Sequence, residues 1–346
     1  MIIDTPGLDD NGMLGEKRIE KTNRILKTCD IAILVTEANR KLNSIEEELL
    51  NNIKIRNIPY IIVKNKMDLL NDKINLKDLD GNSIFISTIN NNGIEDLKNK
   101  ISRVYQKFYN KNNNESEIKF VGNLINKDDI VILVIPIDSS SPKGRIILPQ
   151  QQAIRDILDS HGITIAVKVE ELKETIEILN KKPKLVITDS QVFNEVSKIV
   201  PKEIPLTSFS ILMARYKGFL DISIKGAKEI DNLKNGDKIL ISEGCTHHKQ
   251  CEDIGTVKIP NLIKKYTNKN IEFEWTNGQS FPEDLSKYKM VIHCGGCMLN
   301  TNEITYRMNI ARKKNIPITN YGILIAYLNG ILERTISPLI SNENMI

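Results

Sequence analysis

The chain of 346 residues is most informative at first through what it has little of. No apolar run reaches the roughly 18 residues that span a bilayer, so no membrane helix is expected. Its first residues lack the basic and apolar regions of a signal peptide. A formal charge of +4 on 39.3 kDa is too slight to argue for nucleic acid or an anionic membrane, and neither is expected as a partner. Nowhere does Gly-x-x-x-x-Gly-Lys-[Ser/Thr], the phosphate loop of nucleotide-binding proteins, occur. Cysteine and histidine are scarce, five and four in all, and they are not scattered. All but Cys29 and His161 lie in or between two short runs, Cys245-Thr-His247-His248 and His293-Cys294-Gly-Gly-Cys297. Thiols gathered in this way suit a reduced compartment and a metal site rather than a disulfide scaffold, so a cytoplasmic location is expected.

With 27% charged and 40% hydrophobic residues, the composition is that of a globular protein. The length suggests two or three domains. The chain opens on Ile2-Ile3-Asp4-Thr5-Pro6-Gly7, an apolar strand end followed by Asp-x-x-Gly. In GTP-binding proteins that Asp supports the Mg²⁺ shell and the Gly amide senses the γ-phosphate. Further on, Tyr60-Ile-Ile-Val-Lys-Asn65-Lys66-Met67-Asp68 is a buried strand ending in Asn-Lys-x-Asp. There the Asp accepts two hydrogen bonds from guanine, and adenine is rejected because buried polar groups would stay unpaired. Ser83 to Ile89, with Ser87 and Thr88, reads as the strand and loop that back the base, before a helix from about Gly93 to Tyr109. The phosphate loop, first helix and first switch are expected before Asp4, so the chain reads as N-terminally truncated. Losing three charge-assisted bonds at roughly 1.5 kcal/mol each removes about 4.5 kcal/mol, on the order of a thousandfold in affinity. The chain as written is expected to bind GTP weakly and not to hydrolyse it.

Residues 110–116 form a polar linker. Beyond it, Asp129 to Asp138 is a continuous apolar strand buried on both faces. A helix over Pro149–His161, a strand over Ile163–Val169, a helix over Glu170–Lys181 and a strand over Lys184–Thr188 suggest a small, mostly parallel sheet. From residue 204, an amphipathic helix runs over Thr207–Gly218 with a serine cap, and a second over Phe219–Lys234. Strands over Gly236–Ser242 and Lys287–His293 follow, with Cys245 and Cys294 just past their C-terminal ends. Both runs then meet at one crevice of a parallel sheet. The reading is therefore α/β throughout, in three domains over residues 1–112, 113–203 and 204–346.

Ligand counting sets the metal class. Cys294-x-x-Cys297 is a spacing at which one tight turn aims two sulfurs at one centre, and its two glycines let the backbone come close. Cys245, Cys294 and Cys297 supply three thiolates, one fewer than normally hold a cubane cluster. His247, His293, a carboxylate or water could take the fourth place. Zinc on three Cys and one His is the competing chemistry. Cys251 has no partner at a motif spacing, and His248 reads as a supporting residue.

The order of these elements resembles the FeFe-hydrogenase maturation GTPases, the HydF family. Its most specific part is Cys245-x-His247…His293-Cys294-x-x-Cys297, and Pro136 to Arg145 and Ile211 to Gly218 look like the family too. The resemblance implies an incomplete P-loop GTPase domain, a small α/β dimerisation domain and an α/β 4Fe-4S cluster-binding domain. It implies a scaffold: a 4Fe-4S cluster on Cys245, Cys294 and Cys297, with His247 and His293 at motif positions. It implies a two-iron precursor received as cargo from radical-SAM maturases and delivered to the FeFe-hydrogenase apoprotein. GTP and Mg²⁺ would fall to Asp4, Thr5, Pro6, Gly7, Asn65, Lys66, Asp68, Ser87 and Thr88, and the protein would be a homodimer through its middle domain. The alternative is a GTPase-derived assembly or regulatory factor with a structural zinc.

Overall fold

The computed structural model describes residues 2–5, 22, 25–26, 29–56, 58–70, 81–112, 118–137, 144–244, 254–278, 280–282 and 284–340. Among the sites expected from sequence, Pro6, Gly7, Cys245 and His247 lie outside the described residues, as do His248 and Cys251. The chain divides into two compact units, Met1–Glu117 and Ile118–Ile346.

The first unit carries a parallel sheet in the order β1 (Ala32–Glu37), β2 (Tyr60–Asn65), β3 (Ser83–Phe85). Helix α1 (Ser44–Ile55) starts at a capping box: the Glu46 amide donates to Asn43 Oδ1, and the Asn43 amide donates to the Glu46 carboxylate, each at 2.8 Å. Arg40 grips that carboxylate with both terminal nitrogens, at 2.7 and 2.8 Å. The helix lays Leu50 against Leu34 and Ile62. Helix α2 (Ile94–Asn112) covers the other face, placing Ile94, Leu97, Ile101 and Val104 on Ile61, Val63 and Ile86. Ile2 to Thr5 belong to no strand of this sheet.

The second unit holds two four-stranded parallel sheets. The first contains β4 (Ile130–Val134), β5 (Ile163–Val167), β6 (Leu185–Thr188) and β7 (Leu206–Ser208), in the order β5-β4-β6-β7. The second contains β8 (Lys238–Glu243), β9 (Glu272–Asn277), β10 (Met290–His293) and β11 (Ile318–Asn320), in the order β11-β10-β8-β9. The two orders are the same winding. In each sheet the second strand lies on one side of the first, and the third and fourth lie on the other. In open α/β sheets the place where the chain switches sides is where ligands bind. Here that place falls between β4 and β6, and between β8 and β10.

Alternation along β4 explains why both sheets form one body. Ile132 and Val134 join a core that also contains Ile239, Ile241, Val291 and Ile292 of the other sheet. Val131 and Leu133 point the opposite way, onto Ala153 and Ile157 of helix α3 (Leu148–Asp159). Helices α4 (Leu172–Ile178) and α5 (Phe193–Ile199) complete the middle layer. The helix expected over Thr207–Gly218 is shorter than the sequence suggests. Thr207 and Ser208 finish β7, which extends the middle sheet past residue 203 and leaves α6 as Phe209–Tyr216. Five of its eight residues are buried, so it lies within the protein rather than on a face. Helices α7 (Leu220–Lys228), α8 (Ile259–Thr267), α9 (Thr301–Lys313), α10 (Tyr321–Leu328) and α11 (Leu332–Ile336) close the unit. Among the described residues, no helix is long and apolar enough to cross a membrane.

Candidate metal centre

Strands β8 and β10 are hydrogen-bonded neighbours running parallel, with Ser242 level with His293. Their C-terminal ends therefore lie side by side, and Cys294 follows β10 directly. The Cys294 amide donates to Ser242 O at 2.9 Å. Two further amides turn on the Cys294 sulfur: Gly244 N–H reaches Sγ at 3.0 Å and Gly296 N–H at 3.3 Å. Gly296 holds φ +64°, and a Cβ there would come within 2.6 Å of Ile304 Cδ1, so the turn needs a glycine. Amide donors aimed at sulfur favour the thiolate over the thiol and are a recurring means of tuning cysteine-bound metal.

Cys294 and Cys297 line one cavity of about 210 Å³, more than ten times the roughly 10–15 Å³ that one water needs. Asp189 and Ser190, just past β6, form part of its wall, as do Glu243 at the end of β8 and Phe209, Ser210 and Met213 of α6. The cavity thus sits at the switch points of both sheets at once. Two helix starts face it as well. Ser208 Oγ caps α6 by accepting from the Ile211 amide at 3.2 Å, and Asn320 Oδ1 caps α10 by accepting from the Ile323 amide at 2.9 Å. Phe209, Ser210 and Tyr321, the first residues of those helices, are on the cavity wall. Gly322 lets them meet, since a Cβ there would lie 2.8 Å from Ser210 Cβ. The positive ends of both dipoles favour an anionic occupant.

His293 is fully buried and turned away from that role. Its Nδ1 lies 2.7 Å from Cys294 O, and its Nε2 lies 3.1 Å from Arg307 Nη1. A carbonyl can only accept and a guanidinium can only donate, so the proton sits on Nδ1 and Nε2 accepts. Both ring nitrogens are engaged within the protein. Arg307, also fully buried, donates to Glu303 Oε1 at 2.8 Å, Ser242 Oγ at 3.3 Å and Gly278 O at 2.7 Å, and lies over the Phe281 ring. Lys217, at the end of α6, reaches beneath the cysteine turn and donates to Gly296 O and Leu299 O. Burial pushes its ammonium below the usual lysine range, while Cys297 and Cys294 pull the other way. Neither Lys217 nor the Arg307–Glu303 pair carries a signal in the sequence beyond helical spacing.

The residues present fit a thiolate-held metal group. Two sulfurs share one cavity, one of them receives two amides, and Gly244, which supplies one of those amides, is followed in the chain by Cys245. Among the described residues, no group of three or more His, Cys, Asp or Glu converges as a metal site. Two of the five expected ligands lie outside those residues.

In the first unit the residues expected to bind guanine lie together at the C-terminal ends of β2 and β3. Ser87 Oγ donates to Asp68 Oδ1. The Thr88 amide donates to Asn65 Oδ1 at 3.3 Å, and Asn65 Nδ2 donates to Thr88 Oγ1 at 3.4 Å. Lys66 takes a left-handed φ of 62° and pairs with Glu37, whose carboxyl it holds below the usual range. Asp4 is exposed and Thr5 half-buried, both outside the sheet.

Two family models match the second unit, the hydrogen maturase F dimerization domain over residues 120–218 and the hydrogen maturase F tetramerization domain over 221–338. They meet between α6 and α7, and each takes in one of the two sheets. A third, the 50S ribosome-binding GTPase family, matches residues 1–66. The chain belongs to the HydF family of hydrogenase maturases. In this HydF-family chain the cysteine cavity thus takes its walls from both matched maturase domains. Similarity to curated proteins is more local. The tRNA modification GTPase MnmE of Clostridioides difficile is 34% identical over 116 residues, 32% of this chain and 25% of that protein. MnmE of Thermoanaerobacter pseudethanolicus is 35% identical over 105 residues, 29% of this chain and 22% of that protein. MnmE of Thermotoga maritima is 29% identical over 116 residues, 31% and 25% respectively. The chain spans about a quarter of the length of the curated relatives it matches.

Proposed function

We propose that this hydrogenase maturase is a scaffold that holds a 4Fe-4S cluster on Cys245, Cys294 and Cys297. It would accept a two-iron precursor from radical-SAM maturases and pass it to the FeFe-hydrogenase apoprotein. The observation that carries the reading is the cavity at the switch points of two sheets, lined by Cys294 and Cys297, with two amides on the Cys294 sulfur. When bound, the cluster supplies an iron site to which a further iron species can attach. The protein's share is to shape the turn, exclude bulk water and surround the sulfurs with donors. His293 serves that turn by tying the Cys294 carbonyl to Arg307, which leaves the fourth ligand to a group other than its ring. Asn65, Asp68, Ser87 and Thr88 form the guanine end of a GTP site, with Mg²⁺ assigned to the Asp4–Gly7 element. The working form is a cytoplasmic homodimer.

Anaerobic reconstitution of the full chain with iron and sulfide tests the reading. We expect a brown protein whose reduced form gives a 4Fe-4S EPR signal, and we expect Cys294→Ala to lose it. A colourless protein with stoichiometric zinc would favour the structural-zinc alternative and end the scaffold reading.

A further inference from the structure

Phe209 and Met213 share one face of α6, and Lys217, the residue that caps its C-terminal end, continues the four-residue spacing. Phe209 and Met213 line the cysteine cavity, and Lys217 continues the row beneath the 294–299 turn. Its ammonium donates to Gly296 O and Leu299 O, the carbonyls on either side of Cys297. Among the described residues it pairs with no carboxylate. A half-buried ammonium satisfied only by carbonyl dipoles is an incomplete arrangement, because burying a charge is costly unless an opposite charge offsets it. The groups beside it that can become anionic are the thiols of Cys294 and Cys297.

We propose that Lys217 is a positioning residue and the fixed counter-charge for the group those cysteines hold. Its two hydrogen bonds keep the turn closed, so both sulfurs stay on the cavity. Its charge favours whichever state of the site is more negative. A divalent ion held by three thiolates gives a site with one negative charge. A 4Fe-4S cluster on three thiolates likewise carries one negative charge when oxidised and two when reduced. Lys217 therefore favours metal uptake and raises the reduction potential, since net charge and nearby donors set that potential. The inference rests on the proposed metal site but concerns a residue outside the ligand set.

The test compares the full-length wild-type chain with Lys217→Met and Lys217→Arg, each reconstituted anaerobically and titrated redox-potentiometrically under EPR. We expect K217M to bind iron with a midpoint lower by on the order of 60 mV, a tenfold change in the one-electron equilibrium. K217R, which keeps the charge, should stay near wild type. An unchanged midpoint in iron-loaded K217M would overturn the proposal. If K217M takes up no iron, K217R decides: iron bound at the wild-type midpoint supports the counter-charge, and any other result overturns it. If the wild-type chain itself takes up no cluster, the scaffold reading fails separately. Co²⁺ titration of the apo chains, followed by thiolate-to-cobalt absorption, then decides for Lys217 alone. Binding about tenfold weaker in K217M supports the role, and equal affinity removes it.

Discussion

Every polar atom that Arg307 presents inside the protein is committed, and this makes the residue a sensitive place to perturb the site. Its guanidinium and the Glu303 carboxylate are both essentially inaccessible to solvent. Removing one member of such a pair strands the other, which costs about 3–5 kcal/mol, whereas removing both is far milder. We therefore expect Arg307→Met to lower the urea unfolding free energy by about 3–5 kcal/mol, and the double variant with Glu303→Leu to recover part of that loss, because Ser242, Gly278 and His293 still lack their donor. Equal losses in the single and double variants would show that the pair is not coupled. Cys294 and Cys297 stand out in the sequence through their Cys-x-x-Cys spacing, and the structure places both on one cavity. Arg307 does not stand out. Within Thr301–Lys313 it is one of several charged residues on a helix of ordinary polarity, and only the fold turns it inward.

Short or charged elements are among those that sequence reading misses. β7 and β11 are three residues each, too brief for an alternation to be seen, so in sequence Thr207 reads as the start of the following helix. β9 reads Glu-Phe-Glu-Trp-Thr-Asn, whose outward carboxylates look like a solvated loop, yet it is the edge strand beside β8. By contrast β4, β8 and β10, buried on both faces, announce themselves as continuous apolar runs. The edge strand has its own chemistry. Lys287, Tyr288 and Lys238 all donate to the Glu274 carboxylate, and the first of these does most to lower its pKa from 4.5 to about 2. A carboxyl depressed in the folded state adds stability that is complete above its unfolded value and is lost as pH falls through the folded one. Wild type and Glu274→Gln should therefore differ in urea midpoint at pH 6, and the gap should close between about pH 4.5 and 2. A gap that persists at pH 2 would assign the difference to packing instead.

For the whole molecule, the matched dimerization and tetramerization domains bear on self-association. Among the described residues β5 is an edge strand of the middle sheet, where a second copy can add strands. Ile163 N–H donates to Asp129 O at 2.8 Å, so odd-numbered residues of β5 face β4, while the amides of Thr164 and Ala166 face outward. Ala166→Pro removes one outward donor without touching the ladder to β4. We expect it to halve the mass seen by analytical ultracentrifugation while the far-ultraviolet spectrum stays as in wild type. An undiminished mass would move the interface elsewhere.

The cavity wall is recruited from positions as far apart as Ile147 and Tyr321. During synthesis the thiol-bearing turn leaves the ribosome before the helix that opens at Tyr321, so a nascent chain carries its sulfurs in an unfinished vessel. If the proposed metal is taken up at this cavity, delivery that early would meet a half-built wall open to oxygen and to competing ions, and loading would fall to the finished polypeptide.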